Sequence, residues 1–102
     1  MDKASLEKML ARGMDSSLLR FGLGKACLDA GELSEAVEHL RACLAFDGEY
    51  SAAWKLLGKA LAAQQDSDGA RSAWQAGLAA AQRKGDKQAE KEMQVFLRKL
   101  DK

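Results

Sequence analysis

The chain has 102 residues, of which 47% are hydrophobic and 30% are charged, and its net charge is +1 at pH 7. This length supports one domain with a thin core, and the absence of proline together with abundant Ala, Leu, Lys, Glu, Gln and Arg is typical of a helical protein. The small net charge argues against nucleic acid or an anionic membrane as a partner, and no apolar run approaches the roughly 20 residues that span a bilayer.

Apolar spacing and helix-ending residues predict three helices in the first half of the chain. The first covers about residues 4–12 and stops at Gly13. The second runs to about Ala30, and the third to about Phe46. Potential N-terminal caps for the second and third helices are Asp15, Ser16 or Ser17, and Ser34.

Three more helices are predicted in the second half, and no segment has the alternation of a strand. The fourth covers about residues 51–64, after a turn at Asp47 and Gly48. The fifth begins near Asp66, and the sixth covers about residues 86–101. The sixth carries a clean apolar stripe, which consists of Ala89, Met93, Phe96, Leu97 and Leu100.

The sequence repeats itself with a fixed period, because residues 17–50 align with residues 51–84 without a gap and share nine identities. A period of this size indicates stacked copies of one supersecondary unit. Such stacks present an extended surface to a partner and rarely enclose a reactive cleft. The identical positions in the first copy are Ser17, Leu23, Gly24, Lys25, Ala26, Ala36, Ala42, Leu44 and Ala45.

The second copy resembles the tetratricopeptide repeat, a helix–turn–helix unit of the same length. In that resemblance Gly58 and Ala70 let the paired helices approach closely, while large side chains fill the volume around the contact. The resemblance implies an all-α fold, an α–α superhelix of about six helices. The residues that carry it are Trp54, Leu57, Gly58, Leu61, Ala70, Trp74 and Gly77 in the second copy, and Leu23, Gly24, Cys27, Ala36, Leu40 and Cys43 in the first.

The repeat also predicts the organisation of the single domain. Shifted back by one period, Leu40 and Leu44 fall on Leu6 and Leu10, so the first helix resembles half of a preceding unit. The last helix is out of register, and we expect about five extra residues within Gln82–Lys87 that lengthen the fifth helix or enlarge the loop. The predicted parts are a half repeat at 1–14, repeats at 17–50 and 51–84, and a capping helix at 86–102.

The residues that usually carry chemistry have structural explanations here. The one histidine, His39, is predicted to be a partly exposed helix residue, and Cys27 and Cys43 are predicted to pack as small apolar side chains. The stretch FGLGKA lies inside a helix and has the wrong length for a phosphate loop. We therefore expect no enzymatic activity, no cofactor and no metal. The first ten residues lack a signal-peptide pattern, which makes a cytoplasmic location the expectation.

In proteins of the resembled family, the first helix of each unit lines a groove that serves as a scaffold for protein binding. Lys55 and Lys59 share a helix face, and Lys25 is the repeat equivalent of Lys59. These lysines, with Phe21 and Leu56, form a candidate site for an acidic or C-terminal peptide. The competing interpretation is a solvated helix face with incidental lysines.

Two further interpretations concern the partner. Chaperone-binding members of the family hold a peptide carboxylate with lysine and asparagine, but Phe21 and Lys25 stand at those places and the chain has no asparagine. The alternative function is self-association, in which the stripe of the sixth helix pairs with its copy in a second chain. The expected state is accordingly a monomer or a weak homodimer.

Overall fold

The computed structural model describes residues 2–102, which form six α-helices and no strand. The all-α architecture predicted from the sequence is confirmed. No helix within residues 2–102 is long and apolar enough to cross a membrane. The helices are α1 (Lys3–Ala11), α2 (Ser17–Asp29), α3 (Leu33–Phe46), α4 (Ser51–Ala63), α5 (Ser67–Lys84) and α6 (Lys87–Leu100).

Of the two helix starts with predicted caps, α2 follows the prediction and α3 does not. The Ser16 side chain accepts a hydrogen bond from the Leu19 N–H at 3.1 Å and so caps α2. The predicted Ser34 cap is wrong, because α3 starts at Leu33 and its N-cap, Glu32, makes no side-chain capping bond. The Glu32 N–H donates instead to the carbonyl of Cys27 at 2.8 Å, so the tight turn after α2 fixes where α3 begins.

The turn inside each repeat requires one residue with left-handed backbone. Gly31 supplies it in the first repeat with a φ of 78°, which costs glycine nothing. Gln65 occupies the equivalent place in the second repeat with a φ of 67°. The same hydrogen bond follows each turn, from Glu32 to Cys27 and from Asp66 to Leu61. The repeat therefore imposes this backbone even on a residue that rarely adopts it.

The helices stack into a curved, two-layered array. The helices of each repeat pack against each other, α2 against α3 and α4 against α5. The first helices also touch across repeats, α2 with α4 and α4 with α6, whereas α3 and α5 have no contact between their Cα atoms within 8 Å. Because one row is closed and the other is splayed, α2, α4 and α6 lie on the concave side of the stack.

Two glycines allow the close approach of the paired helices. A Cβ atom on Gly24 would lie 2.6 Å from the side chain of Leu40, and one on Gly58 would lie 2.2 Å from Trp74 Nε1. Both neighbours are buried, Leu40 fully and Trp74 with 5% of its surface exposed. The roles that the sequence assigns to these glycines are the ones they have in the fold.

The register break before α6 lengthens α5. That helix runs to Lys84, about one turn beyond the repeat equivalent of the end of α3, before Gly85 ends it with a φ of 72°. The added turn is held by Arg83, whose guanidinium binds the Glu49 carboxylate at 2.6–3.0 Å and keeps its pKa below the usual range. The start of the α6 stripe is covered by its own chain, since Ala89 and Met93 are buried, whereas Phe96, Leu97 and Leu100 are only partly buried.

We expect Gly58→Ala to destabilise the fold by about 2 kcal/mol, as overpacking of a tight helix contact does. The added methyl group collides with Trp74, whose indole cannot withdraw without breaking its hydrogen bond to the Lys55 carbonyl. Urea unfolding followed by circular dichroism gives the change in free energy.

The matched control is Gly48→Ala, where the added Cβ would meet only the Leu44 carbonyl oxygen at 3.8 Å. This variant is expected to change the free energy of unfolding by less than about 0.5 kcal/mol. Equal stability of the two variants would contradict the role given to the Gly58 contact.

Candidate protein-interaction groove

The concave groove is lined by α2, α4 and α6, and a stacked aromatic pair lies where α2 meets the start of α4. Phe21 on α2 is half-buried and stacks on Tyr50, with ring centroids 4.9 Å apart and an interplanar angle of 22°. Tyr50 directly precedes α4, so the pair joins the two repeats. Leu56 on α4 is also half-buried and packs against the core.

Lys25 lies on the exposed side of α2. Its ammonium group is 3.1 Å from the carboxylate of Asp29, one turn further along the same helix. The side chains are 59% and 67% exposed, so the pair contributes only a few tenths of a kcal/mol. A carboxylate from a partner can replace Asp29 at little cost.

Lys55 is bound by α6. Its ammonium group lies 3.3 Å from both carboxylate oxygens of Glu92. The two side chains are 24% and 35% exposed, so this pair is less screened by solvent than that of Lys25. The backbone of Lys55 is fixed as well, because its carbonyl accepts a hydrogen bond from Trp74 Nε1 at 3.1 Å.

Lys59 is exposed and lies over an aromatic ring of α6. Its ammonium group is 5.2 Å from the ring centroid of Phe96, within the range of a cation–π contact. Phe96 in turn stacks on Trp74, with centroids 5.1 Å apart. The ring supplies no full negative charge, so Lys59 keeps its capacity to bind an anion.

In the structure each of the three predicted lysines contacts a different side chain: Asp29, Glu92 or Phe96. Three residues of the groove were not predicted from the sequence. These are Tyr50, Glu92 and Phe96. The sequence does contain a signal for two of these residues. Glu92 and Phe96 are spaced by four residues, as are Lys55 and Lys59, so each pair lies on one face of its helix. If the two faces meet, each lysine can contact one residue of the other pair. The signal becomes readable only once α6 is placed beside α4.

A recess of about 440 Å³ adjoins Lys25 between α1 and α2. Leu18 on its rim is 71% exposed, an unusual state for a large apolar side chain. Apolar surface therefore lies directly beside a weakly held ammonium group. The recess is lined by Leu6, Leu18, Gly22, Lys25, Ala26 and Asp29.

A polar cluster lies away from these lysines, on the far side of α2. Arg20 binds both carboxylate oxygens of Asp15 at 2.8 and 2.9 Å, and its remaining nitrogen donates to His39 Nδ1 at 3.1 Å. This bond needs a neutral imidazole with an unprotonated Nδ1. Burial, followed by the charge of Arg20, lowers the pKa of His39, although the charges of Glu38, Glu7 and Asp15 oppose the shift.

The two cysteines are buried free thiols in the core, as predicted. Burial raises the pKa of Cys43 to about 11 and also raises that of Cys27, so both remain protonated and unreactive at neutral pH. No group of three or more His, Cys, Asp or Glu residues within positions 2–102 could hold a metal ion.

Comparison with known proteins agrees with the helical-repeat fold. The family described as tetratricopeptide repeat matches residues 17–60. A TPR repeat-containing protein of Pseudomonas aeruginosa is 66% identical over 96 residues, which cover 94% of this chain and 91% of that protein.

Two solved structures share the fold. The solution structure of a Bordetella parapertussis protein is 56% identical, with a TM-score of 0.85 over 97% of this chain and 86% of that one. The crystal structure of MamA is 21% identical, with a TM-score of 0.72 over 96% of this chain and 64% of that one, and shows likeness of fold alone.

We expect the stability of the fold to fall as the pH drops from 7.5 to 5. Because the pKa of His39 is lowered in the folded state, the unfolded chain binds the proton more readily, so stability is complete above the ordinary pKa of 6.5 and is lost below it. The carboxylates with lowered pKa values, such as Asp15, titrate at more acidic pH. Urea midpoints measured across this range give the slope.

The control is His39→Gln, which can still accept a hydrogen bond from Arg20 but carries no titrating group. Its urea midpoint should be nearly flat over the same range. An equal slope in wild type and variant would assign the effect to other groups.

Proposed function

The chain belongs to the tetratricopeptide repeat family, and we propose that it binds a short acidic segment of a protein partner in the groove lined by α2, α4 and α6. Repeats of this kind form modules for protein–protein interaction, with binding on a preformed helical surface. The proposed role requires no catalytic step.

The observation that carries the proposal is the pair of exposed lysines on neighbouring helices. Lys25 and Lys59 are repeat equivalents, and neither is tightly held, since one has a solvent-exposed ion pair and the other a cation–π contact. Phe21 and Tyr50 form an aromatic pair at the junction of the same repeats. Positive charge beside apolar surface suits a segment that combines carboxylates with an apolar side chain.

Lys55 has a different role in the proposal, because Glu92 already occupies it. An entering carboxylate must displace Glu92 before it can bind this lysine. We therefore assign first contact to Lys25 and Lys59, and a competed contact to Lys55.

The size of the groove limits the partner segment. The helices α2 and α4 have 13 residues each, so each is about 20 Å long. An extended peptide rises about 3.3 Å per residue, which corresponds to about six residues along the groove. The proposed ligand is therefore a short linear segment of a larger protein.

The first test is charge reversal at both exposed lysines, Lys25→Glu with Lys59→Glu. Binding of a partner obtained by affinity capture from the source organism should weaken by about tenfold or more, and the affinity should depend less on salt. Calorimetric titration at two salt concentrations measures both effects.

The matched control reverses two exposed lysines outside the three groove helices, Lys8→Glu on α1 with Lys102→Glu after the end of α6, and so changes the net charge equally. Retained binding in this control, with loss in the groove variant, supports the site. Equal loss of binding in both variants would mean that only the net charge matters. Equal retention of binding in both would mean that the groove does not bind the partner.

The second test removes the competitor of Lys55 by Glu92→Gln, which keeps the side-chain size. Affinity for the same acidic partner should rise by about two- to fivefold, because the lysine no longer has to exchange one carboxylate for another. Titration of the wild type and the variant measures the change. A decrease in affinity would show that Glu92 itself contacts the partner.

A further inference from the structure

An open cleft lies on the convex face of the stack, opposite the lysine groove. It has a volume of about 510 Å³, in the range of ligand and anchor pockets, and lies between α3 and α5 where these helices splay apart. Its apolar floor comes from α4, which contributes Trp54, Leu57 and Leu61. Arg41, Leu44 and Ala45 of α3 form one wall.

The other wall is open because α5 carries only small side chains there. These are Gly69, Ser72, Ala73 and Ala76. Their equivalents in the preceding repeat are Glu35, Glu38, His39 and Ala42, three of which are larger and polar or charged. The same helix face therefore carries large polar side chains in the first repeat and small side chains in the second.

The floor changes character in the same way. Arg20 stands where the second repeat has Trp54, and it is bound to Asp15 and His39. The corresponding place in the first repeat therefore carries a polar network, whereas the second exposes apolar surface. General packing of repeats does not explain the difference, since both grooves arise from one backbone arrangement.

The mouth of the cleft carries a cation. Arg41 is exposed and lines the cleft, and it has no salt-bridge partner among residues 2–102. Its equivalent in the N-terminal half repeat is Glu7, of opposite charge. An unpaired guanidinium beside an apolar floor complements a carboxylate that neighbours an apolar side chain.

We propose that this cleft is a second protein-docking site, which takes a large apolar side chain of a partner segment next to a carboxylate that pairs with Arg41. The cleft spans only about two turns of α5, from Gly69 to Ala76, which is too short to hold a long helix lengthwise. The occupant is an anchor residue with its flanking acid. The site lies on the face opposite the lysine groove, so the protein can hold two segments at once.

The probe is a library of seven-residue peptides displayed on phage and selected on the full-length, immobilised chain. Peptides enriched over uncoated surface are then synthesised and titrated against purified variants. Arg41→Glu places the charge of Glu7 at the mouth of the cleft, and Ser72→Glu copies Glu38 into the open wall. Both positions are exposed, and thermal unfolding checks that each variant retains the wild-type fold.

The control for the other face is Lys25→Glu with Lys59→Glu. The expected result is a class of peptides with a large apolar residue next to an acid, bound about tenfold more weakly by both Arg41→Glu and Ser72→Glu. This class should bind the lysine variant within about twofold of wild type.

Three outcomes overturn the proposal: no enriched peptides, enriched peptides without an acid, or binding that Ser72→Glu leaves intact. Peptides weakened only by the lysine variant would count against the cleft while supporting the lysine groove. If every enriched peptide is weakened by the cleft variants and none by the lysine variant, the result supports the cleft and counts against the lysine groove. The failure of one proposal can therefore be told from the failure of the other.

Discussion

The contact between Gly58 and Trp74 determines most of what is distinctive in this structure. With no side chain on Gly58, the indole of Trp74 lies against the backbone of α4 and donates its N–H to the Lys55 carbonyl at 3.1 Å. This bond fixes the indole where Phe96 stacks on it, and Phe96 in turn meets the ammonium group of Lys59. A packing requirement of the second repeat therefore extends, one contact at a time, to the surface of the groove.

The two repeats share this architecture and differ in what they expose. In the first repeat the counterpart of Trp74 is Leu40, a smaller side chain against Gly24. Arg20 also replaces a tryptophan there and connects to a polar network through His39. Such differences change surfaces without changing the backbone, because each repeat packs mainly on its neighbours. The first repeat places a charged network on its outer side, while the second leaves an open apolar cleft there.

The sequence predicted the helices, the family and the roles of Gly24 and Gly58, because periodicity and small-residue positions are local signals. It did not predict the left-handed Gln65, since glutamine gives no sign of that conformation and only its equivalence to Gly31 indicates it. The prediction of Ser34 as the cap of α3 was wrong for a related reason. The start of α3 is fixed by a backbone hydrogen bond from Glu32 to the Cys27 carbonyl, and no side chain caps it.

The partners of the groove lysines depend on a longer-range feature. Glu92 and Phe96 face α4 only because the residues before α6 lengthen α5 by a turn and so set where the last helix lies. The identities of those residues say little about whether they form helix or loop. Side-chain partners across the groove were therefore beyond the reach of the repeat pattern.

These side-chain partners also decide what kind of recognition the groove can perform under the proposed function. The net charge of the chain is only +1, so attraction must come from local charge and not from the field of the whole molecule. Because Asp29 and Glu92 already neutralise two of the three lysines, a carboxylate that enters exchanges ion pairs more than it adds them. Such exchange contributes little net free energy at an exposed surface. Under the proposed function, affinity in the groove then depends on apolar burial beside Phe21 and Tyr50, while the lysines select acidic over basic segments.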